Sequence, residues 1–314
     1  MPNAGVLPSL SIVIPNFNQA DLLRRCLASI ERHAPHGTEI IVVDDGSADG
    51  SPAMVRAEFP SVRLIELSNN RGFCTAANAG WRSARSPIVE LLNNDAEVTS
   101  GWAVPALQEF ADNRVGSVAP LVRRLPFRSR IDSAGDVLDL IGVARKRFEG
   151  RSWLSVELCR QEVFSASASS AFYRRSALQE VGGFPEEYVS YFDDVDLGYR
   201  LRLAGWSSVL APESQVLHWV GRSHYHARRS TQHQVARNSE RFFWTNVPSK
   251  ELALKAFPRM AYILALLTYK GLRGEFGPWF AGKASLLGEI PNLWTKRQWA
   301  QQLRQSRPNQ GVRH

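Results

Sequence analysis

Short apolar runs, each closed by a polar cluster and separated by segments of helical periodicity, dominate the first 95 residues. Between the runs, apolar side chains recur at the spacing of one helix face. Continuous apolar strands are buried on both faces, and strands that alternate with helices form a mostly parallel, doubly wound sheet. The predicted fold class is therefore α/β. The predicted strands are residues 10–15, 39–44, 62–67 and 88–92, and the predicted helices lie at 18–30, 52–59 and 76–84.

Polar residues stand directly after two of these predicted strands. Asp44 and Asp45 follow the second one, and an Asn-Asn-Asp cluster that ends at Asp95 follows the fourth. Parallel strands end at one edge of the sheet, where such sheets bind ligands, so both clusters are candidate binding residues. A carboxylate there can accept the imide N–H of a uracil or thymine base or hold a ribose hydroxyl, and oxygen ligands suit a hard divalent cation. Each cluster alone is also ordinary turn chemistry, and that alternative stays open.

A third polar cluster holds three carboxylates within four residues, at Asp193, Asp194 and Asp196, beside aromatic residues. Carboxylates so close together are costly unless they bind cations, bind substrate or act as a base. Asp194 falls at the start of a predicted helix, where the helix dipole favours a negative charge. His218 follows 24 residues later, and an imidazole there would let a metal site accept manganese as well as magnesium. The alternatives are an acidic helix N-cap and a packed, hydrogen-bonded histidine.

Composition excludes several classes of protein. The 314 residues are 44% hydrophobic and 22% charged, which excludes a disordered or collagen-like chain. The three cysteines form no CxxC pair, so neither a zinc knuckle nor a disulfide framework is expected. Residues 221–314 hold 16 Lys and Arg against four acidic residues, whereas the whole chain has a net charge of +8. This change in charge predicts two parts, residues 1–226 and residues 227–314.

The motifs also occur in a fixed order along the chain. They are Ile12-Val-Ile-Pro-Asn-Phe-Asn18, Asp44-Asp-Gly-Ser47, Asn70-Arg-Gly-Phe73, Leu92-Asn-Asn-Asp95, Gly182-Gly-Phe184, Phe192-Asp-Asp-Val-Asp-Leu197 and His218. This series resembles the family 2 glycosyltransferases, and most closely the bacterial rhamnosyltransferase-like branch that builds cell-surface polysaccharide. The resemblance covers roughly residues 9–226. It implies a GT-A fold and an inverting sugar transfer, aided by Mg²⁺ or Mn²⁺. Rhamnose is the suggested sugar, the donor dTDP- or UDP-linked, and the acceptor a hydroxyl of a lipid-linked glycan or polysaccharide.

The resemblance assigns roles to individual residues. Asp194 matches the catalytic base, and Asp193 stands on the acceptor side, where the family usually has Glu. Asp95 matches the metal-binding end of the family's DxD motif, whose first position is Asn93 here, and His218 matches a metal-ligand position in some members. The segments that bind the nucleotide sugar would contribute Pro15, Phe17, Asp45, Arg71, Gly72, Asn78 and Asn94.

The basic C-terminal region, residues 227–314, is predicted to be helical and amphipathic. Its longest uncharged apolar run, residues 260–269, has ten residues, too few to span a bilayer, so we expect this region to lie in the membrane interface. Two features fit that position. The basic side chains would lie near anionic lipid, and the indole rings would lie at headgroup depth, namely those of Trp279, Trp294 and Trp299. The expected location is cytoplasmic, peripheral at the inner face of the cytoplasmic membrane. The alternative is a helical subdomain that packs on the catalytic body or on a second subunit.

Three other functions compete with sugar transfer. A hydrolase would use Asp193 and Asp194 as paired carboxylates, but neighbouring residues at a helix start point in different directions, unlike the opposed carboxylates of a glycosidase. A nucleic-acid-binding protein would use the basic region, yet its apolar helices fit a bilayer surface better than a phosphate groove, so no nucleic-acid partner is expected. A protein that only binds nucleotide sugars is disfavoured because the base and metal positions are both filled.

Overall fold

One ten-stranded sheet organises the computed structural model, which describes residues 7–220, 228–273 and 276–305. The first elements are β1 (Leu10–Asn16), α1 (Ala20–His33), β2 (Glu39–Asp44), α2 (Ser51–Glu58), β3 (Arg63–Glu66), α3 (Phe73–Ser83), β4 (Ile88–Leu92), β5 (Ala96–Val98) and α4 (Ala103–Glu109). They are followed by β6 (Val115–Arg124), β7 (Ile131–Ser133), β8 (Asp136–Leu138), β9 (Ala144–Lys146), β10 (Gln161–Glu162), β11 (Ser170–Arg174), α5 (Arg175–Glu180), α6 (Asp193–Leu203) and β12 (Ser207–His218). The last helices are α7 (Arg228–Asn246), α8 (Ser249–Leu272), α9 (Phe276–Ala284) and α10 (Ile290–Gln305).

The sheet combines a parallel half with a mixed half. Its strand order is β10-β12-β6-β11-β4-β1-β2-β3, with β5 paired to β12 and β7 paired to β6. β1 to β4 run parallel, whereas β11 runs antiparallel between β4 and β6. β8 and β9 form a separate hairpin. The predicted α/β class is confirmed, and the four predicted strands agree with β1 to β4 within one residue at each end.

The core lies in two layers, one on each face of the sheet, because alternate residues of a strand point to opposite faces. Ile12 and Ile14 of β1 pack in one layer and Val13 packs in the other, and all three are fully buried. Helix α3 lies so close to β1 that a Cβ on Gly80 would be 2.2 Å from Cγ1 of Val13. A larger side chain at position 80 would push α3 off the sheet.

Helix α1 begins after a turn, and a side chain from outside the helix accepts its first N–H. Asn18 and Gln19 have positive φ angles of 58° and 68°, and the Gln19 side chain makes no capping hydrogen bond, whereas Asp49 Oδ2 accepts the Ala20 N–H at 2.8 Å. The Asn18 side chain accepts a hydrogen bond from the Ala48 backbone N–H at 2.9 Å, and the Asn18 N–H donates to Ser47 Oγ at 2.7 Å. The helix therefore begins two residues after the predicted start at residue 18, and Asn18 joins the loops that follow β1 and β2.

The C-terminal helices pack on α6 and on one another. Helix α7 contacts α6, α9 and α10, so the C-terminal helices are joined directly to the part of the chain that contains the sheet. The predicted boundary at residue 226 lies outside the described residues, and the division into two domains stays a prediction.

Helix α8 is, within the described ranges, the one helix that is long and apolar enough to cross a membrane by length and composition. The helix has 24 residues and continues through Pro258, so it is longer than the run 260–269. The prediction that this segment is too short to reach across a bilayer is therefore wrong. Only 6% of its apolar stretch is buried in the protein. Leu254, Phe257 and Leu272 are 79%, 81% and 85% exposed.

Candidate active site

Three polar side chains connect the ends of β1, β2 and β4. The Asn16 amide donates to Asp44 Oδ1 at 2.9 Å, and the Asn94 amide donates to Asn16 Oδ1 at 2.8 Å. The other oxygen of Asp44 accepts the Ser47 backbone N–H at 2.9 Å. Asn94, predicted to bind the nucleotide sugar, therefore lies at the sheet edge with its amide nitrogen engaged by Asn16.

Asp45 fixes the loop between β3 and α3. Its two carboxylate oxygens accept the backbone N–H groups of Arg71 at 2.9 Å and of Gly72 at 2.7 Å. Burial raises the pKa of this carboxyl, and the two hydrogen bonds only partly counteract it. Gly72 has a φ angle of 92°, and a Cβ there would lie 2.5 Å from Cγ1 of Val189. The structure thus brings the predicted residues Asp45, Arg71 and Gly72 together, with the Arg71 side chain 56% exposed.

The remaining residues predicted to bind the nucleotide sugar divide between exposed and buried positions. Pro15 is buried inside β1 opposite Val43, whereas Phe17, just after the strand, is 46% exposed. Asn78 is buried, and its amide makes four hydrogen bonds, among them to the backbone N–H and carbonyl of Phe184 and to the Glu186 carboxylate. Because the protein itself satisfies this amide, we interpret Asn78 as holding the 184–186 segment.

His218 is held between two carboxylates. Its Nε2 lies 3.1 Å from Asp95 Oδ1, and its Nδ1 lies 3.1 Å from Asp132 Oδ2. The pairing of β12 with β5, in which His218 stands opposite Ala96, brings the histidine to Asp95. Burial alone would lower the pKa of His218, but the hydrogen bonds and charges of Asp132 and Asp95 raise it to about 9. The two predicted metal ligands are therefore in contact.

Asp95 and His218 fit a divalent ion as adjacent ligands. In octahedral geometry with bonds of about 2.1 Å, two neighbouring ligand atoms are about 3.0 Å apart, close to the observed 3.1 Å. No set of three His, Cys, Asp or Glu side chains in the described ranges is arranged to hold a metal. An ion here would need further ligands from substrate phosphates and water, as is usual for Mg²⁺. Asp132 would then orient the imidazole from the other side, as carboxylates behind ligand histidines do.

Lys146 connects this group to Asp194. Its Nζ lies 2.9 Å from Asp132 Oδ2, and burial would lower the pKa of Lys146, but the charges of Asp132, Asp194 and Asp136 raise it. Asp194 stands in the first turn of α6, half-buried, and its Oδ2 accepts the Ala168 N–H at 3.0 Å. Ser169, next to Ala168, accepts the Asn93 N–H at 3.1 Å, so the predicted base and the predicted ligand Asp95 stand on adjoining segments.

Two buried carboxyl groups surround Asp194. Asp193 is 3% exposed, its Oδ2 has no hydrogen-bond partner among the described residues, and burial together with the charge of Asp194 raises its pKa well above the ordinary range. Asp136 accepts a hydrogen bond from Ser165 Oγ at 2.8 Å, and the same two causes raise its pKa. Both carboxyls favour their neutral forms. Asp193, predicted on the acceptor side, is therefore buried beneath the site.

The segment that leads into α6 is strained and is held from α7. Three residues in it have positive φ angles without being glycine, namely Val189 (65°), Tyr191 (68°) and Phe192 (65°). Asn238 of α7 is fully buried and points its amide nitrogen at this segment, which we call the 188–192 loop. That nitrogen donates to the carbonyls of Tyr188, Ser190 and Tyr191 at 3.0, 2.8 and 2.9 Å.

Four residues of this arrangement were not predicted from the sequence, namely Asn16, Asp132, Lys146 and Asn238. Asn16 had a usable signal, because it is the polar residue that closes the first apolar run, as Asp44 closes the second. Asp132 and Lys146 lie in short strands without periodicity, and Asn238 lies 50 residues from the carbonyl of Tyr188. Neither composition nor spacing indicates these contacts.

Two solved structures share this architecture. The crystal structure of GalNAc-T7 with UDP, GalNAc and Mn²⁺ matches with a TM-score of 0.63 and 16% sequence identity, over 77% of this chain and 49% of that one. The mannosyltransferase PcManGT from Pyrobaculum calidifontis, in complex with GDP-Man and Mn²⁺, matches with a TM-score of 0.58 and 19% identity, over 96% of this chain and 86% of that one. The predicted GT-A fold is confirmed.

Sequence comparison agrees with the fold. The profile described as Glycosyl transferase family 2 matches residues 11–182. The N-acetylglucosaminyl-diphospho-decaprenol L-rhamnosyltransferase of Mycobacterium tuberculosis is 31% identical over 261 aligned residues, covering 75% of this chain and 83% of that protein. Polypeptide N-acetylgalactosaminyltransferase 18 of Homo sapiens is 27% identical over 253 aligned residues, covering 75% of this chain and 42% of that protein. The chain belongs to glycosyl transferase family 2 and is a glycosyltransferase.

Proposed function

We propose that this glycosyltransferase moves a sugar, with L-rhamnose the first candidate, from a dTDP- or UDP-linked donor to a hydroxyl of a lipid-linked acceptor, with inversion. The observation that carries the proposal is the series of contacts from Asp95 through His218 and Asp132 to Lys146, whose ammonium also interacts with Asp194. The name of the Mycobacterium tuberculosis relative supports rhamnose and a lipid-linked acceptor.

Asp194 acts as the general base. Its carboxylate accepts two backbone N–H groups, from Ala168 and Val195, and keeps lone pairs for an acceptor hydroxyl. As the acceptor oxygen attacks the anomeric carbon, its proton passes to Asp194. The bond between that carbon and the diphosphate oxygen breaks on the opposite face, so the configuration inverts. Direct displacement needs no covalent enzyme intermediate.

Positive charge on the donor side stabilises the departing diphosphate. A divalent ion held by Asp95 and His218 would supply part of that charge. Lys146 adds a fixed ammonium 2.9 Å from Asp132, and Arg71 adds a half-exposed guanidinium at the start of α3. Asp132 holds the His218 ring through Nδ1, so that Nε2 faces Asp95.

The acceptor is reached from the cytoplasmic face of the membrane, with α8 lying along the surface. Leu254 and Phe257 offer exposed apolar side chains for the headgroup boundary. Arg259 of the same helix is buried, and its guanidinium donates to the Ile141 carbonyl at 3.1 Å and to Glu240 at 2.6 Å. Because Arg259 ties the middle of α8 to the catalytic body, a position along the surface fits this helix better than a membrane span.

A transfer assay tests the reaction. The protein is incubated with Mn²⁺, polyprenyl-diphospho-N-acetylglucosamine and either dTDP-L-rhamnose or a UDP-sugar, and the product is analysed by mass spectrometry and by NMR of its anomeric proton. We expect an inverted product from one donor, and for Asp194→Asn a kcat lower by about 10²–10⁴-fold with donor affinity near that of the wild type. Turnover of Asp194→Asn within a few-fold of wild type contradicts the assigned base. Sugar release without an acceptor would indicate a hydrolase.

Flotation with anionic vesicles tests the membrane position. Leu254→Glu and Phe257→Glu place a charge on the exposed face of α8, so we expect each to abolish binding to phosphatidylglycerol vesicles at low salt while the unfolding temperature stays unchanged. Leu154→Glu is the matched control, because Leu154 is 75% exposed and lies outside α8. Wild-type protein that stays unbound at low salt contradicts the proposal, as do α8 variants that bind like the wild type.

A further inference from the structure

A cavity lies on the side of α6 that faces away from Asp194. It has a volume of about 530 Å³ and lies between α6, the segment 181–188, the end of α7 and α10. Asp194 and Asp196 are two residues apart on α6, so their side chains project about 200° apart, and Asp196 lines this cavity. The volume falls within the range of ligand sites, about 300–1,000 Å³. The proposed function uses none of this space.

Three buried polar atoms on the lining residues have no hydrogen-bond partner in the described part of the chain. They are Arg200 Nη2, Thr245 Oγ1 and Asn246 Oδ1, and the three residues are 5%, 6% and 1% exposed. Buried polar groups are nearly always paired, and an unpaired one is costly. The set contains a donor, a hydroxyl and an acceptor, which matches a ligand that carries several hydroxyl groups.

The charges around the cavity cancel. Arg200 Nε pairs with Asp196 Oδ1 at 2.5 Å, and Asn246 also donates to Asp196 at 2.7 Å. At the rim, Lys296 pairs with Glu187, and Arg82 pairs with Glu186 at 3.5 Å. No cation in this set is left without a carboxylate partner, so the site favours a neutral ligand over a phosphate.

Aromatic rings supply the apolar part of the lining. Trp299 of α10 is 39% exposed, and the Arg200 guanidinium lies 5.8 Å from its ring centroid. Phe184 and Tyr188 line the same cavity. Sugar rings combine an apolar face of C–H groups with a rim of hydroxyls, which is the chemistry that such a mixed lining recognises.

We propose that this cavity binds a neutral saccharide unit of the growing glycan, away from the reacting hydroxyl. The inference rests on the proposed function, because the proposed transfer reaction would be the source of the saccharide. The sugar ring would pack on Trp299, and its hydroxyls would pair with the free atoms of Arg200, Thr245 and Asn246. Such a site would hold the product or a longer acceptor close to the enzyme between transfers.

Saturation-transfer NMR and calorimetry test the site without turnover. The probes are methyl α-L-rhamnoside, methyl β-N-acetylglucosaminide and the neutral disaccharide of the two sugars, added to full-length protein saturated with UDP and Mn²⁺. We expect one probe to bind at millimolar concentration, with affinity lower by about tenfold or more in Trp299→Ala and in Thr245→Val. Trp294→Ala is the matched control, because Trp294 lies on the same helix, is 62% exposed and lines a different cavity.

The variant Asp194→Asn lacks the proposed base but keeps every residue that lines the cavity. We therefore expect this variant to bind the sugars like the wild type, although it no longer transfers sugar. The inference is overturned if no probe binds, if UDP or Asp194→Asn abolishes binding, or if inorganic phosphate displaces the sugar. Failure of sugar transfer in the activity assay leaves this binding test unaffected. If Trp299→Ala does not fold, Thr245→Val decides, since it removes only a hydroxyl that has no partner among the described residues.

Discussion

Replacing Asn238 by alanine removes the support that α7 gives to the 188–192 loop. The Asn238 amide nitrogen donates to three carbonyls of that loop at 2.8–3.0 Å, and alanine cannot replace any of these hydrogen bonds. The loop leads directly into Asp193 and Asp194, so a change in its path moves the proposed base. Its Val189 carbonyl also accepts the Cys74 N–H at 3.2 Å, which connects the loop to the start of α3.

The expected magnitude follows from two opposing free energies. The amide nitrogen carries two N–H groups, which the three carbonyls share, so at about 1 kcal/mol per N–H group they contribute about 2 kcal/mol to holding the loop. The three residues with positive φ angles, Val189, Tyr191 and Phe192, store at least about 1 kcal/mol each, or about 3 kcal/mol together. Because the two sums are similar, a relaxed loop becomes competitive once Asn238 is removed. We therefore expect a stability loss smaller than about 2 kcal/mol together with a large loss of turnover.

Steady-state kinetics and urea unfolding measure the two effects separately. A base displaced by about 1 Å costs about 10²-fold, so we expect kcat to fall by about that factor while KM for the donor changes little. Asn238→Asp is the sharper variant, because it keeps the shape of the side chain but turns an acceptor toward three carbonyls. Ser239→Ala is the matched control on α7, since Ser239 Oγ bonds the Ala236 carbonyl of its own helix at 3.0 Å.

The reasoning is refuted if Asn238→Ala loses the full stabilisation of about 2 kcal/mol while keeping wild-type kcat. That result would mean that the loop keeps its strained path without Asn238. A KM that rises with kcat unchanged would place the effect of Asn238 on donor binding, which also contradicts the proposed role.

Two further predictions concern the metal ligands and the buried sheet. Asp95→Ala should weaken donor binding, measured by calorimetry, only when Mn²⁺ or Mg²⁺ is present. His218→Ala should have a smaller effect in Mg²⁺ than in Mn²⁺, because Mg²⁺ prefers oxygen ligands. Equal donor affinities of both variants and wild type across a Mn²⁺ titration would exclude the site. Glu90 is fully buried, and burial raises its pKa to about 8 despite hydrogen bonds from Trp102 and Ser170. The folded state then retains a proton that the unfolded state releases, so stability falls as pH rises from about 5 to 8. In urea unfolding, Glu90→Gln should gain about 3 kcal/mol over the wild type across that range, and a constant difference would contradict the burial argument.

The parallel half of the sheet was predictable because its signals are local. β1, β2 and β4 are continuous apolar runs that end at polar residues, and Asp44 and Asp95 stand where those runs end. Helix α3 begins at Phe73, three residues before the predicted start, because Gly72 with its positive φ angle ends the preceding loop there.

The rest of the site was not predictable because its contacts join residues far apart in the chain. Asp132 is 86 residues from His218, and only the pairing of β7 and β12 with β6 brings them together. The strand that carries Asp132 has three residues, as does the one that ends at Lys146, and so short a strand leaves no periodicity to recognise. For α8, the run 260–269 suggested a short apolar segment, but the helix continues across Pro258 and Arg259 because the buried ion pair of Arg259 with Glu240 holds its middle.

The same part of α7 holds the 188–192 loop and the helices α8 and α9, and this limits how their roles can be tested separately. Glu240, two residues from Asn238, accepts Arg259 of α8 at 2.6 Å and Lys283 of α9 at 2.5 Å. Burial would raise the pKa of Glu240, but these two cations lower it, so the carboxylate is charged and holds both helices to α7. A truncation before residue 238 would remove both Asn238, which holds the 188–192 loop, and helix α8. Its loss of activity would therefore give no information about membrane binding. Only single changes on the exposed face of α8, such as Phe257→Glu, test the membrane contact while leaving the Asn238 contacts in place.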